Sequence, residues 1–215
     1  MSSSWHQRWK EGRIGFHQTA VHEDLITYQE QFLSDGPHRV LVPLCGKTQD
    51  LVWLAKLGHQ AIGVELVPQA VEEFFQEQEL EVTLEEHKSF SIYSSGAITI
   101  YCGDFFDLSA ILVGKITRVW DRAALVALPL ELRGAYCRHL RSLVTPDASL
   151  LLNVFEYDPK VMSGPPHSIS PDEVETHFAD CDRKLLSEAD AIEKFPGFAK
   201  AGHSYWTVRN YLIAL

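Results

Sequence analysis

The sequence is short of positive charge. Its 19 Lys and Arg residues face 29 Asp and Glu, a net charge of −10. An acidic surface repels phosphate backbones. The densest basic stretch, Arg133 to Arg141, reads as one helix face with three arginines and a histidine, so no nucleic-acid partner is expected. Long apolar runs are missing too. The longest, Ala123 to Leu130, falls well below the roughly 20 residues that cross a bilayer. The opening segment, from Met1 to Arg13, has no apolar core of the kind a signal peptide needs. The expectation is a soluble cytoplasmic protein without a membrane partner. Cysteine is sparse and scattered: Cys45, Cys102, Cys137 and Cys181 include no pair at metal-ligand spacing. Against a zinc site or a disulfide framework, four reduced thiols and no bound metal are expected.

What is present is an ordinary globular composition. The 215 residues are 46% hydrophobic and 11% aromatic, enough for one sizeable core, and a single domain over residues 1–215 is expected. No repeat, low-complexity segment or linker divides the chain. Short apolar runs alternate with helical patterns, as in a doubly wound α/β sheet of mostly parallel strands. Strands are expected over 39–44, 60–65, 97–101, 116–120 and 149–155, with helices over about 48–57, from Pro68, and over 129–143. Residues 157–170 carry Pro159, Gly164, Pro165 and Pro166 and read as a loop long enough to be functional. Ser170-Pro171-Asp172-Glu173 is a helix start. The last strand candidates, over 183–186 and 205–213, flank Phe195-Pro196-Gly197 with no clear helix between them, which suggests a terminal antiparallel pair.

Open α/β sheets bind ligands beyond the carboxyl ends of their strands. Four segments fall there: Leu44-Cys45-Gly46, Glu65, Asp104-Phe105 and Asp121-Arg122. Glu65 stands 21 positions after Leu44, where nucleotide-binding sheets place an acid for the ribose hydroxyls. The alternative is a solvated carboxylate at a strand end. Around Pro43-Leu44-Cys45-Gly46-Lys47 only one glycine of the pyrophosphate-binding fingerprint is present. A phosphate-free nucleoside such as S-adenosylmethionine is therefore favoured over NAD. Asp104 next to Phe105 suits an adenine amino group and ring, or equally a capped turn over core phenylalanines. Arg122 suits an anionic nucleophile, or a salt bridge with Asp121. Trp5 and Trp9, one helical turn apart, read together with Phe16 either as a helix packed on the core or as a lid over residues 1–20 that excludes water. His17 and His22 are expected to be exposed.

The ordered set Trp5-x-x-x-Trp9, Gly15-Phe16-His17, Pro43-Leu-Cys-Gly-Lys47, Gly63-Val-Glu65, Phe106-Asp-Leu108, Trp120-Asp-Arg122, Tyr157-Asp-Pro159 and Gly164-Pro-Pro166 resembles the thiopurine S-methyltransferase family, in particular its shorter bacterial-type members. The likeness covers nearly the whole chain and weakens after about Ser187. It implies a seven-stranded methyltransferase sheet that binds S-adenosylmethionine through Trp9, Leu44, Glu65 and Arg122, with Trp5, Asp104 and Phe105 as further contacts. Phe16 matches a residue lining the substrate pocket. The implied acceptors are small aromatic or heterocyclic thiols, with selenium and tellurium compounds associated with bacterial-type members. A monomer is expected. The competing readings are a halide or thiol-ion methyltransferase of the same fold, a nicotinamide oxidoreductase, and a non-catalytic nucleotide-binding module.

Overall fold

A computed structural model of the chain describes residues 2–215. They form two compact units, Met1–Trp120 and Asp121–Leu215. In the first, helices α1 (Ser2–Lys10), α2 (Glu23–Thr27) and α3 (Gln29–Leu33) precede strand β1 (Arg39–Pro43). Then follow α4 (Asp50–Lys56), β2 (Gln60–Glu65), α5 (Pro68–Glu77), β3 (Thr83–His87), β4 (Phe90–Ser95), β5 (Ile98–Cys102), α6 (Ala110–Val113) and β6 (Ile116–Arg122), within which the division falls. The strand order in this unit is β3-β4-β5-β2-β1-β6. β1 pairs in parallel with β2 and β6, and β2 with β5.

The chain thus leaves β1 on one side and comes back to its other side at β6, a reversal that favours ligand binding beyond the carboxyl end of β1. The reason for this arrangement is compositional. Val40, Leu41 and Val42 in β1, and Ala61, Ile62 and Val64 in β2, are all buried, the continuous apolar run of parallel strands covered on both faces. α5 begins at Pro68, where the missing N–H has no helical partner to lose, and buries Ala70, Val71, Phe74 and Phe75.

The hairpin β3–β4 was not legible in the sequence, and it adds two antiparallel strands to the seven expected. His87 pairs with Phe90 across Lys88-Ser89, and Lys88 sits at φ 52°. That left-handed position ordinarily signals itself through Gly or Asn. β3 is also exposed nearly throughout, so no apolar alternation marks it.

The second unit contains α7 (Leu130–Ser142), β7 (Val144–Glu156), α8 (Pro171–His177), β8 (Asp182–Asp190), α9 (Pro196–Lys200) and β9 (Thr207–Ala214). β9 runs antiparallel to both β7 and β8, so the terminal antiparallel pair is present. Ser170 caps α8 by accepting the Glu173 N–H at 3.2 Å. One expectation needs correction: the stretch between the last two strands holds a 3-10 turn, Ile192–Lys194, and the five-residue α9. Pro196 takes the first helical turn, so the proline that reads as a breaker is a starter here.

Asp50 ties the first unit together. It is only 2% exposed. One carboxylate oxygen accepts the backbone N–H of His22 at 2.9 Å and the other the Trp120 indole N–H at 2.8 Å. His17 and His22 are both half-buried rather than exposed: the His22 Nδ1 accepts the Asp24 N–H and caps α2, and its ring lies 5.6 Å from that of Trp120. Replacing Asp50 with Ala leaves a buried indole N–H and a buried amide without their acceptor. A loss of about 2–4 kcal/mol in urea unfolding is expected from two such groups; a loss under about 0.5 kcal/mol would show that Asp50 holds neither.

Candidate active site

The carboxyl ends of β1, β2 and β5 come together around Glu65. Its carboxylate is 7% exposed. One oxygen accepts the Gly46 N–H and the other the Val67 N–H, each at 2.8 Å. Burial pushes the Glu65 carboxyl up, and the N–H groups of Val67, Gly46 and Leu66 pull it back. Each oxygen keeps a lone pair beyond its backbone bond, which leaves acceptors for a pair of vicinal hydroxyls.

Local backbone geometry makes this arrangement possible. Leu44 has φ 50° and Gly46 φ 54°. A left-handed leucine costs about 1–2 kcal/mol, and such outliers cluster where a ligand is held. The turn they form presents the Gly46 N–H to Glu65. Gly63, in β2, is needed for closeness: a side chain there would lie 2.7 Å from the Cys45 sulfur. Cys45 is buried, and burial together with the Glu65 charge pushes its thiol well up. It stays protonated.

Trp9 closes over this turn. It is buried against Val67 and Ala70, and a side chain at Gly46 would sit 3.3 Å from its ring. Trp5 and Phe16 pack on the same cluster, with Phe16 edge-on to Trp5 at 5.7 Å and to Trp9 at 6.0 Å. Lys47 is a positioning group that sequence reasoning missed. Its ammonium bonds Glu73 at 2.7 Å and Glu77 at 2.6 Å on α5 and lies 5.9 Å from the centre of the Trp9 ring. The i, i+4 acid pair Glu73 and Glu77 on α5 is the signal that could have found it.

At the end of β5, the Gly103 N–H bonds the Glu65 carbonyl at 2.9 Å, which places Asp104 beside Glu65 in the chain-end row. Asp104 is exposed and caps a 3-10 turn by accepting the Phe106 N–H at 2.9 Å, while Phe105 is buried. Trp5, Trp9, Phe16, Leu44, Glu65, Asp104 and Phe105 all lie in the first unit.

Arg122 belongs to the second. It is half-buried between Asp121 and Ala123, whose φ is 69°. Asp121 is 1% exposed; it accepts the Ala124 and Leu125 N–H groups at 3.2 and 3.1 Å and the Tyr136 hydroxyl at 2.6 Å. This carboxylate thus fixes the turn that carries Arg122. The loop after β7 is equally fixed. Ser168 brackets Tyr157 through both its N–H and its carbonyl, and the Tyr157 hydroxyl donates to the Pro166 carbonyl at 2.6 Å. Buried Arg133 bonds the Leu128 and Ser168 carbonyls and both Glu173 oxygens.

The profile of the family described as Thiopurine S-methyltransferase (TPMT) matches residues 1–214. A thiopurine S-methyltransferase of Bordetella petrii is 45% identical over 199 residues, 92% of this chain and 91% of the relative. One of Pseudomonas putida is 41% identical over 210 residues, 98% and 97% of the two chains. This chain belongs to the thiopurine S-methyltransferase family. Among solved structures, 1,6-didemethyltoxoflavin-N1-methyltransferase of Burkholderia thailandensis, with bound 1,6-didemethyltoxoflavin and S-adenosylhomocysteine, matches with a TM-score of 0.66 at 16% identity over 99% of this chain and 86% of that one. Magnesium protoporphyrin IX methyltransferase of Synechocystis, with bound S-adenosylmethionine, gives 0.64 at 16% identity over 98% and 96%. At such identities the likeness is one of fold. As a member of this family the chain is a methyltransferase, its cofactor S-adenosylmethionine and its acceptor a small molecule. Among the described residues no helix is long and apolar enough to cross a membrane.

Burial raises the Asp121 carboxyl to about 6, against the pull of Tyr136 and the two amides. Its folded value therefore lies above the unfolded one, so its contribution to stability is largest below about pH 4 and declines as pH rises through about 6. Asp121→Asn keeps an oxygen for the two amides and removes this titration. Relative to the native chain the variant is expected to gain about 3 kcal/mol between pH 4 and 7 in urea unfolding. Parallel pH profiles would place the Asp121 titration elsewhere.

Proposed function

We propose that this family member transfers a methyl group to the sulfur of an aromatic or heterocyclic thiol, and that residues 1–20 act as a lid on a single methyltransferase domain. The observation that carries the reading is the buried Glu65 carboxylate, fixed by two amides at a strand end, in a chain 41–45% identical to relatives named for thiopurine S-methylation. The donor set fits an adenosyl group: a carboxylate with free lone pairs for ribose hydroxyls, a backbone turn at Leu44, aromatic faces at Trp9 and Trp5, and Asp104 with Phe105 for adenine. Bound there, S-adenosylmethionine supplies an electrophilic methyl on a sulfonium.

The chain has little covalent work to do. Alignment of the acceptor and removal of water supply most of the acceleration, and Trp5, Trp9 and Phe16 form the apolar cover for that purpose. Phe16 lines the acceptor side. Arg122 favours the anionic form of an acceptor thiol by its charge. It cannot take the proton itself, so the proton leaves to water. Selenium and tellurium compounds are soft acceptors of the same kind. The chain's acidity disfavours nucleic acid as a partner, and four free cysteines suit the reducing cytoplasm.

The direct test is incubation with labelled S-adenosylmethionine and a panel of thiols, selenite, tellurite and halides. Label should pass to aromatic thiols first; transfer to halide alone would replace this reading. Calorimetry with S-adenosylhomocysteine should show Glu65→Ala weaker by about 1.5–3 kcal/mol, the worth of hydrogen bonds to a charged group. Unchanged affinity would remove Glu65 from the cofactor site.

Arg122→Ala should lower turnover on a thiol, with the deficit shrinking at high pH as the acceptor ionises unaided. A deficit that is constant across pH would make Arg122 a cofactor or structural contact instead.

A further inference from the structure

The short segment that follows β1, residues 46–50, meets the opening of the chain at two points. At one end, Lys47 sets its ammonium 5.9 Å from the centre of the Trp9 ring and bonds Glu73 and Glu77 of α5. At the other, the Asp50 carboxylate accepts the His22 N–H at 2.9 Å. Residues 10–21, Phe16 among them, are thus strung between two anchors only three positions apart in the chain.

The anchors differ in kind. Asp50 is buried, and its second oxygen is taken by the Trp120 indole N–H, so the His22 end is set in the core. The Trp9 end is ionic and borders on solvent, since the Glu73 and Glu77 side chains are 31% and 46% exposed. Ion pairs open to water are weakly held and screened by salt. One end is built to stay and the other to let go.

What Trp9 covers gives this asymmetry a use. Glu65 is fixed by the amides of Gly46 and Val67. Trp9 is buried against Val67, and its ring lies 3.3 Å from where a side chain on Gly46 would begin. Phe16 meets the same ring edge-on at 6.0 Å. Lifting Trp9 would therefore wet both amides that hold the carboxylate and carry Phe16 away with it. Every residue in this chain of contacts belongs to the first unit.

We propose that Lys47 is a positioning residue for the cofactor: its ammonium, steadied by Glu73 and Glu77, latches Trp9 over the Glu65 turn, and residues 10–21 swing about the His22 end when the latch opens. The proposal rests on the reading of residues 1–20 as a lid and adds how that lid is held and where it hinges. The attraction is between a cation and the negative face of an indole. A neutral side chain of the same length fills the space without it.

Calorimetry with S-adenosylhomocysteine reads the latch. Lys47→Met keeps the length of the side chain and removes the charge; affinity should fall about threefold to tenfold, the worth of one cation–π contact. On a Trp9→Leu background the same change should cost less than about twofold, because no ring is left to hold. Lys47→Arg should return affinity to within about twofold of the native chain. Glu77→Gln keeps the ammonium but loosens it, and a loss of about twofold is expected that again disappears without Trp9. Unchanged affinity in Lys47→Met, or an equal loss with and without the Trp9 ring, overturns the proposal. Trypsin separates latch from lid. Cleavage after the exposed Arg13 should slow when S-adenosylhomocysteine saturates the native chain, and slow less in saturated Lys47→Met. Cleavage indifferent to the ligand in the native chain would sink the lid reading and the latch with it; equal protection of both chains would sink the latch alone.

Discussion

The first unit depends on one buried anion. Glu65 ends β2 with no solvent to speak of, and its two oxygens divide their work: one holds the turn that follows β1, the other the entry into α5. The strain at Leu44 and the left-handed Gly46 make sense only with that carboxylate present to receive the amide they turn inward. The same charge governs the nearest nucleophile. Cys45 lies in contact range of β2, and its thiol is held protonated by burial and by Glu65. A thiolate at this position would compete with any acceptor for a transferable methyl. The carboxylate proposed to receive the cofactor's hydroxyls thus adds to burial in keeping the protein's own sulfur protonated.

A second ionic device secures the aromatic cover. Lys47 directly follows the glycine held by Glu65, reaches two acids on α5, and sets its ammonium near the Trp9 ring. Charge, helix and indole are joined in a few ångströms. Burial lowers a lone ammonium's readiness to ionise, but the two glutamates more than offset this and the Lys47 pKa rises. Trp9 is in this way held against Val67 and Ala70 while belonging to the opening helix of the proposed lid.

Much of this was legible in the sequence because parallel strands announce themselves. Apolar runs of five or six residues bounded by Gly, and an acid closing one of them, located β1, β2 and the Glu65 turn. Strand ends marked Leu44 and Arg122 and helical spacing marked Trp9; the resemblance implied their part at the cofactor, which the residues alone could not assign. What escaped notice has common physical causes. The hairpin β3–β4 turns on a left-handed lysine and shows one polar strand to solvent, so neither of the usual signals was written. Asp50 and Asp121 look like surface acids in a one-dimensional reading; their partners lie 70 residues away at Trp120 and 15 away at Tyr136. The stacked rings of Tyr157, Phe198 and Trp206 are concealed in the same way, by distance in the chain.

The exposed strand β3 has a consequence for how copies of this chain meet. It pairs on one flank only, with β4, and so presents a row of unpaired amides and carbonyls of the kind that recruits another strand. Its sequence, Thr83-Leu84-Glu85-Glu86-His87, puts two adjacent carboxylates in the middle of that row. A second β3 laid alongside would set like charges against each other on both faces of the joined edge, since Glu85 and Glu86 point to opposite faces, on molecules that already carry −10 each. Self-templated sheet growth along β3 is thereby opposed by electrostatics. The same glutamates that hid the strand from a pattern search also disfavour its pairing with a second copy.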